Sequence, residues 1–195
     1  MKKLVPHDAI LIPDNAERVF QGKIYDVYQW PQPLFDGSIA TFEMLKRPDT
    51  VVAIGIVDDK IVVLEDEQPH RGARTSFPGG RVDVGEDTLT AAKREMDEEA
   101  GYSFANWKLL DVQQPEVKIE WFVYVYIAWG VTMSGRPHWD AGEKISIQLE
   151  PYNIVRALAQ TKDSYVGESR YLFDTAAVLH DLMQLPEYSG KEIVV

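Results

Sequence analysis

The sequence predicts a mixed α+β (α/β) sandwich, preceded by an antiparallel β-rich extension. Three observations carry this. Runs of β-branched and aromatic residues fill much of residues 19–65 and return after residue 106. One amphipathic helix interrupts them, because Leu89, Ala92, Met96 and Ala100 recur at spacings of 3, 4 and 4 and form a single apolar stripe. Helical segments then close the chain, so the order is β-rich, helix, β, helix.

Taken in order, residues 1–16 contain Pro6 and Pro13 and read as an irregular lead-in. Residues 19–30 are strand-forming through Val19, Phe20, Ile24, Tyr25, Val27, Tyr28 and Trp30. Pro31-Gln32-Pro33 and Asp36-Gly37 punctuate that run, and residues 39–46 resume it. Residues 50–57 and 60–65 flank the turn Asp58-Asp59 and predict a hairpin. Residues 66–85 carry Gly72, Pro78, Gly79, Gly80 and Gly85 and read mostly as loop. Residues 87–100 form the helix, and Gly101 is placed to end it. Strands are predicted over 107–112 and 121–131, the second apolar enough to be central. A loop follows over 132–142 and a strand over 144–149. Helices are predicted over 152–160 and 169–184, with a loosely held tail after Pro186. The expected organisation is an extension over residues 1–48 and a core domain over 49–195.

At 195 residues, 45% hydrophobic and 26% charged, the chain has the composition of a soluble globular domain. Its 31 acids against 20 bases give a net charge of −11, which excludes broad binding to nucleic acid phosphates. The lack of cysteine excludes disulfides, thiolate catalysis and Cys-ligated zinc. No apolar run approaches the roughly 20 residues of a membrane span, and no secretory h-region follows the basic start. The expectation is a cytoplasmic protein with no membrane partner. The four histidines show no metal-ligand spacing, and His138-Trp139-Asp140 reads as surface loop. Neither a P-loop nor a Gly-x-Ser-x-Gly elbow is present.

Residues 80–102 are the informative stretch. Glu95, Glu98 and Glu99 sit at i, i+3 and i+4, so a helix places all three on one face, with Asp97 in the same two turns. Like charges at these spacings repel. Acids in a last turn also oppose the helix dipole by roughly 0.3–1 kcal/mol each. On the helix alone, two readings stand: a solvated acidic face, or a site for a hard cation that neutralises clustered carboxylates. Between Arg81 and Gly101 there are seven acids and three bases, so a net −4 of the chain's charge is concentrated here.

The wider spacing is Gly80, five residues, Glu86, seven residues, then Arg94-Glu95-Met96-Asp97-Glu98-Glu99-Ala100-Gly101. This pattern resembles the signature of the nudix hydrolases, a metal-binding loop–helix–loop. Tyr102 departs from the aliphatic residue expected at the last position. The resemblance implies a nudix-type α/β/α sandwich with a mixed sheet. It implies that Glu95, Glu98 and Glu99 ligate Mg²⁺ or Mn²⁺, with the Gly80 carbonyl as a further ligand. Arg94 and Glu86 would pair to hold the loop against the helix; a surface pairing of Arg94 with Glu98 is the alternative. Gly80 and Gly101 would supply backbone conformations that a side chain hinders.

Members of that family hydrolyse a diphosphate linked to another moiety. Several features resemble the ADP-ribose pyrophosphatase branch: the β-rich extension, the run 62–68 leading to His70-Arg71, and Pro115 beyond the signature. That resemblance implies a small nucleoside diphosphate derivative as substrate, ADP-ribose or a related nucleotide sugar, and a homodimer built through the extension. Nucleoside triphosphates or dinucleotides are the alternative substrates, since Gly79 stands where that branch more often has Ala. A nucleotide-binding regulator without hydrolysis is the other alternative. Glu143 is the candidate acid at a loop–strand junction, either catalytic or an exposed loop acid, and Glu120 is a second candidate. Trp30 or Phe35 is placed to hold the base, or to pack in a sheet or dimer core. Arg47 or Arg71 is placed to contact phosphate, standing in for an Arg the branch carries where this chain has Phe42.

Overall fold

The computed structural model describes residues 2–69, 71–139, 144–161 and 164–194. The strands are, in order, β1 (Lys2–Val5), β2 (Glu17–Gln21), β3 (Asp26–Pro33), β4 (Ile39–Lys46), β5 (Thr50–Val57), β6 (Lys60–Gln68), β7 (Arg71–Ser76) and β8 (Gly79–Arg81). Helix α1 (Thr88–Ala100) follows, then β9 (Tyr102–Gln113), β10 (Ile119–Glu120), β11 (Val123–Ser134) and β12 (Lys144–Pro151). The chain closes with α2 (Tyr152–Leu158), a 3-10 turn, α3 (Arg170–Thr175), α4 (Leu179–Gln184) and β13 (Lys191–Val194). The fold is α+β with mixed sheets, as the residue patterns predict.

Two compact units result. The first comprises Met1–Thr50, Val112–Val123 and Ser189–Val195. Here β2, β3 and β4 pair antiparallel, and β10 joins β4 in parallel, so this sheet is not purely antiparallel. β3 runs through Pro31 to Pro33, past the expected break. It can do so because β2 reaches only as far as Gln29, so the missing proline N–H groups leave no ladder bond unmade on that side. The lead-in and tail also differ from expectation. β1 pairs with β13 from Lys2↔Val194 to Val5↔Lys191, so the chain's two ends form a small sheet rather than loose segments.

The second unit comprises Val51–Asp111 and Tyr124–Tyr188 and holds the main sheet. Its order is β12-β6-β5-β11-β9, with β7 added on β6 and β8 on β5. The β5–β6 turn has φ of 47° at Asp58 and 61° at Asp59, the pair of positive values that a two-residue hairpin of this twist requires. β11 is buried continuously from Val123 to Ala128, as befits a strand between β5 and β9. The stretch expected as loop contains β7 and β8; both are short, and glycine-rich β8 carries no apolar alternation to reveal it. The helix expected over 169–184 is instead α3 and α4, separated at Ala176, whose extended backbone offers its carbonyl to the Tyr152 hydroxyl at 2.8 Å.

Helix α1 forms where its caps place it. The Asp87 carboxylate accepts from the Thr90 N–H at 3.0 Å, and Gly101 ends the helix at φ 70°. Its buried face is Ala91, Ala92, Met96 and Ala100. Met96 packs over β5 at Gly55, where a Cβ would lie 2.9 Å from its Cε. Met96 and Ala100 join Ala53, Val57, Val62, Leu64, Phe104, Ala128 and Ile145 in one core, with Tyr102 packed against it. The Tyr102 departure is thus a packing change. The polar face of α1 carries the acids.

Candidate functional site

Arg94 organises the acidic face. Its guanidinium grips Glu86 with two bonds, Nε to Oε1 at 3.1 Å and Nη2 to Oε2 at 3.0 Å. Nη1 donates to Glu95 Oε1 at 2.7 Å and to Glu98 Oε2 at 3.1 Å, and Nη2 reaches the Arg81 carbonyl at 2.9 Å. Both expected pairings of Arg94 therefore exist together. The arginine lowers the Glu86 pKa from its ordinary value, helped by the Asp83 N–H, while burial works against this.

Glu95 and Glu98 converge on one nitrogen of Arg94, so the chain already presents two carboxylates to a single positive charge. Glu99 reaches the neighbouring strand, with Oε2 accepting from the Gly79 N–H at 2.7 Å. Among the described residues no three acids or histidines form a ready-made cation cage. The donors nonetheless suit a hard cation: three carboxylates on adjacent turns, with Glu98 44% exposed and able to rotate.

Glycine is needed at positions 80 and 101 for different reasons. A Cβ on Gly80 would lie 2.6 Å from Glu95 Cδ, so any side chain there displaces the carboxylate. Its φ is not positive, and the expected conformational reason does not apply to it. Gly101 has the positive φ, and a Cβ there would also meet the Gly135 carbonyl at 2.7 Å.

That approach is part of a longer contact. Residues 135–139 dock on the C-terminal end of α1. Gly135 N donates to the Gly101 carbonyl at 2.7 Å and His138 N to the Glu98 carbonyl at 2.7 Å. The Trp139 indole Nε1 donates to the Glu99 carbonyl at 3.0 Å. These donors cap the end of a helix whose last turn holds acids and no base. Glu143 lies outside the described residues.

The remaining candidates fall elsewhere. Glu120, 8% exposed, bonds Lys46 Nζ through Oε1 at 2.6 Å and the Ile12 N–H through Oε2 at 2.8 Å. Arg47 stacks its guanidinium 4.5 Å from the Trp121 ring and 5.6 Å from Tyr25, and its Nε is buried without a hydrogen-bond partner. Trp30 is 9% exposed, bonded to Gln32 and packed on Phe42, whereas Phe35 is fully exposed. Arg71 occupies the first position of β7, opposite Gln68. Of the expected site residues, Glu95, Glu98, Glu99, Arg94 and Gly80 form one cluster; Trp30, Phe35, Arg47 and Glu120 belong to the first unit.

The NUDIX domain profile matches residues 46–169. The chain is 30% identical over 89 residues to a Bacillus subtilis (strain 168) protein named ADP-ribose pyrophosphatase. That alignment covers 45% of this chain and 48% of the relative, so it spans about half the relative's length. The chain is 28% identical over 160 residues to the methanol dehydrogenase activator of Bacillus methanolicus, covering 80% of this chain and 85% of that one. A crystal structure described as an ADP compounds hydrolase superposes with a TM-score of 0.67 at 20% identity, covering 83% of this chain and 90% of the other. At that identity the likeness is one of fold.

Proposed function

Because this chain belongs to the NUDIX domain family, we propose that it is a metal-dependent hydrolase of a nucleoside diphosphate linked to another moiety. ADP-ribose or a related nucleotide sugar is the leading substrate. The observation that carries the reading is the convergence of Glu95 and Glu98 on one Arg94 nitrogen, with Glu99 beside them on the same helix end. An acidic face kept only for solubility needs no such convergence.

Glu95, Glu98 and Glu99, with the Gly80 carbonyl, would hold Mg²⁺ or Mn²⁺. A bound divalent ion supplies charge neutralisation at the diphosphate and lowers the pKa of water. The chain's own groups do the rest. Arg94 orients Glu86 and Glu95, the Gly79 N–H fixes one oxygen of Glu99, and a Glu99 or Glu143 carboxylate takes the proton of the attacking water. The relative named as a dehydrogenase activator favours keeping a regulatory reading alongside. The complete set of acids supports hydrolysis over binding alone.

A Mg²⁺-dependent screen over ADP-ribose, other nucleotide sugars, dinucleoside polyphosphates and nucleoside triphosphates tests this. The expected result is turnover of a nucleoside diphosphate derivative that stops with EDTA and returns with Mg²⁺. No turnover of any compound, or turnover indifferent to EDTA, would end the hydrolase reading.

The proposal extends to a cytoplasmic homodimer. In the first unit, β2 is an edge strand with all five residues exposed, including Val19 at 51% and Phe20 at 59%. Open edges with apolar side chains are templates for pairing. Sedimentation velocity should give twice the 22.2 kDa chain mass, and Phe20→Lys should shift it toward monomer. A wild-type monomer at micromolar concentration would remove the dimer.

A further inference from the structure

We propose that Trp139 is the platform on which the nucleobase of the substrate stacks; this rests on the nucleotide-hydrolase reading above. Trp139 is 45% exposed, yet its indole N–H is tied to the Glu99 carbonyl. The backbone before it is tied to the same helix end at Gly101 and Glu98. Exposed tryptophans ordinarily reorient; this one is held through its single donor. An indole held in place and nearly half exposed is unfavourable on its own, because indole is among the largest apolar surfaces a residue offers. It becomes favourable once a planar partner covers it.

Placement and charge select the partner. The carbonyl that anchors the ring belongs to Glu99, one of the clustered acids, so the platform and the proposed reaction centre share a helix end. With the diphosphate held through a cation at those acids, the neutral flat part of the substrate, its nucleobase, is what remains to cover the ring. Trp30, one of the aromatics placed either to hold the base or to pack in the sheet, is 9% exposed, with its own N–H donated to Gln32.

Binding of adenosine monophosphate and of ribose 5-phosphate, which lacks the base, separates stacking from other contacts. Calorimetry on the full chain is needed for wild type, Trp139→Ala and Trp139→Phe. Trp139→Ala should weaken adenosine monophosphate by roughly 5- to 100-fold, as expected for one stacked base, and leave ribose 5-phosphate within about twofold. Trp139→Phe keeps a ring and should retain most of the affinity. The proposal is overturned if alanine weakens both ligands alike, if phenylalanine loses as much as alanine, or if wild type does not prefer the ligand with a base. Phenylalanine behaving like alanine would assign Trp139 to latching the helix end through its N–H. Hydrolysis is read separately: a protein that stacks the base and cleaves nothing refutes the hydrolase alone.

Discussion

Glu99→Gln lowers kcat by at least about 100-fold and leaves the protein folded, the magnitude being that of a lost acid–base or charge-bearing group. Glutamine has nearly the shape of glutamate. Its amide oxygen still accepts the Gly79 N–H that Glu99 Oε2 now accepts at 2.7 Å. What disappears is the negative charge and the capacity to take a proton or bind a cation. Asp97→Asn is the control. Asp97 lies in the same two turns, at a position the signature leaves unspecified, and its neutralisation should change kcat by less than about threefold, since an ordinary acidic group carries little catalytic energy. Steady-state kinetics on the substrate found in the screen, with thermal unfolding of each variant, gives both readings. Full activity in Glu99→Gln, or equal losses in both variants, would return the acids to a merely solvated face.

Arg94→Ala destabilises the fold by about 2–3 kcal/mol and removes activity as well, because it strips the counter-charge from three carboxylates at once. Glu86 and Glu95 are only 13% and 12% exposed, so water compensates them poorly. Glu98 is 44% exposed and loses less. Arg94 itself is 28% exposed, which keeps the cost below that of a fully buried pair. Arg94→Lys should recover less than half, since an ammonium cannot make the two-bond grip on Glu86. The pH dependence has a definite sign. Glu86 titrates below its ordinary value of 4.5 when folded, so its contribution is present above that pH and is lost as pH falls through the lower folded value. The gap between wild type and Arg94→Ala should therefore narrow in acid. Urea unfolding at neutral pH and near pH 4 measures it; a gap that widens in acid would show that Glu86 is not the partner that matters.

The helix and the placement of its acids were legible because they are local. Asp87, the 3-4-4 apolar spacing and Gly101 lie within one helix length, and 3.6-residue periodicity puts Glu95, Glu98 and Glu99 on one face whatever surrounds them. The Asp58-Asp59 hairpin was legible for the same reason. So was the position of β11, whose unbroken apolar run marks burial on both faces.

Other features depended on distant partners. β1 reads as irregular until β13, almost the whole chain away, supplies its ladder. Gly79-Gly80 reads as loop until β5 pairs with it. Trp30 reads equally as a base-binding or a packed aromatic until Phe42 and Gln32 are found beside it. Trp139 reads as surface until its indole finds a carbonyl 40 residues earlier.

The sequence by itself therefore determined the family's carboxylate helix, its C-terminal cap and the acidic charge of the cluster, since spacing along one helix sets all three. Only the tertiary structure decided why Gly80 must lack a side chain, which cation holds the acids before any ligand arrives, and which tryptophan stays open. Those depend on what packs within a few ångströms, and residues far apart in the chain supply it.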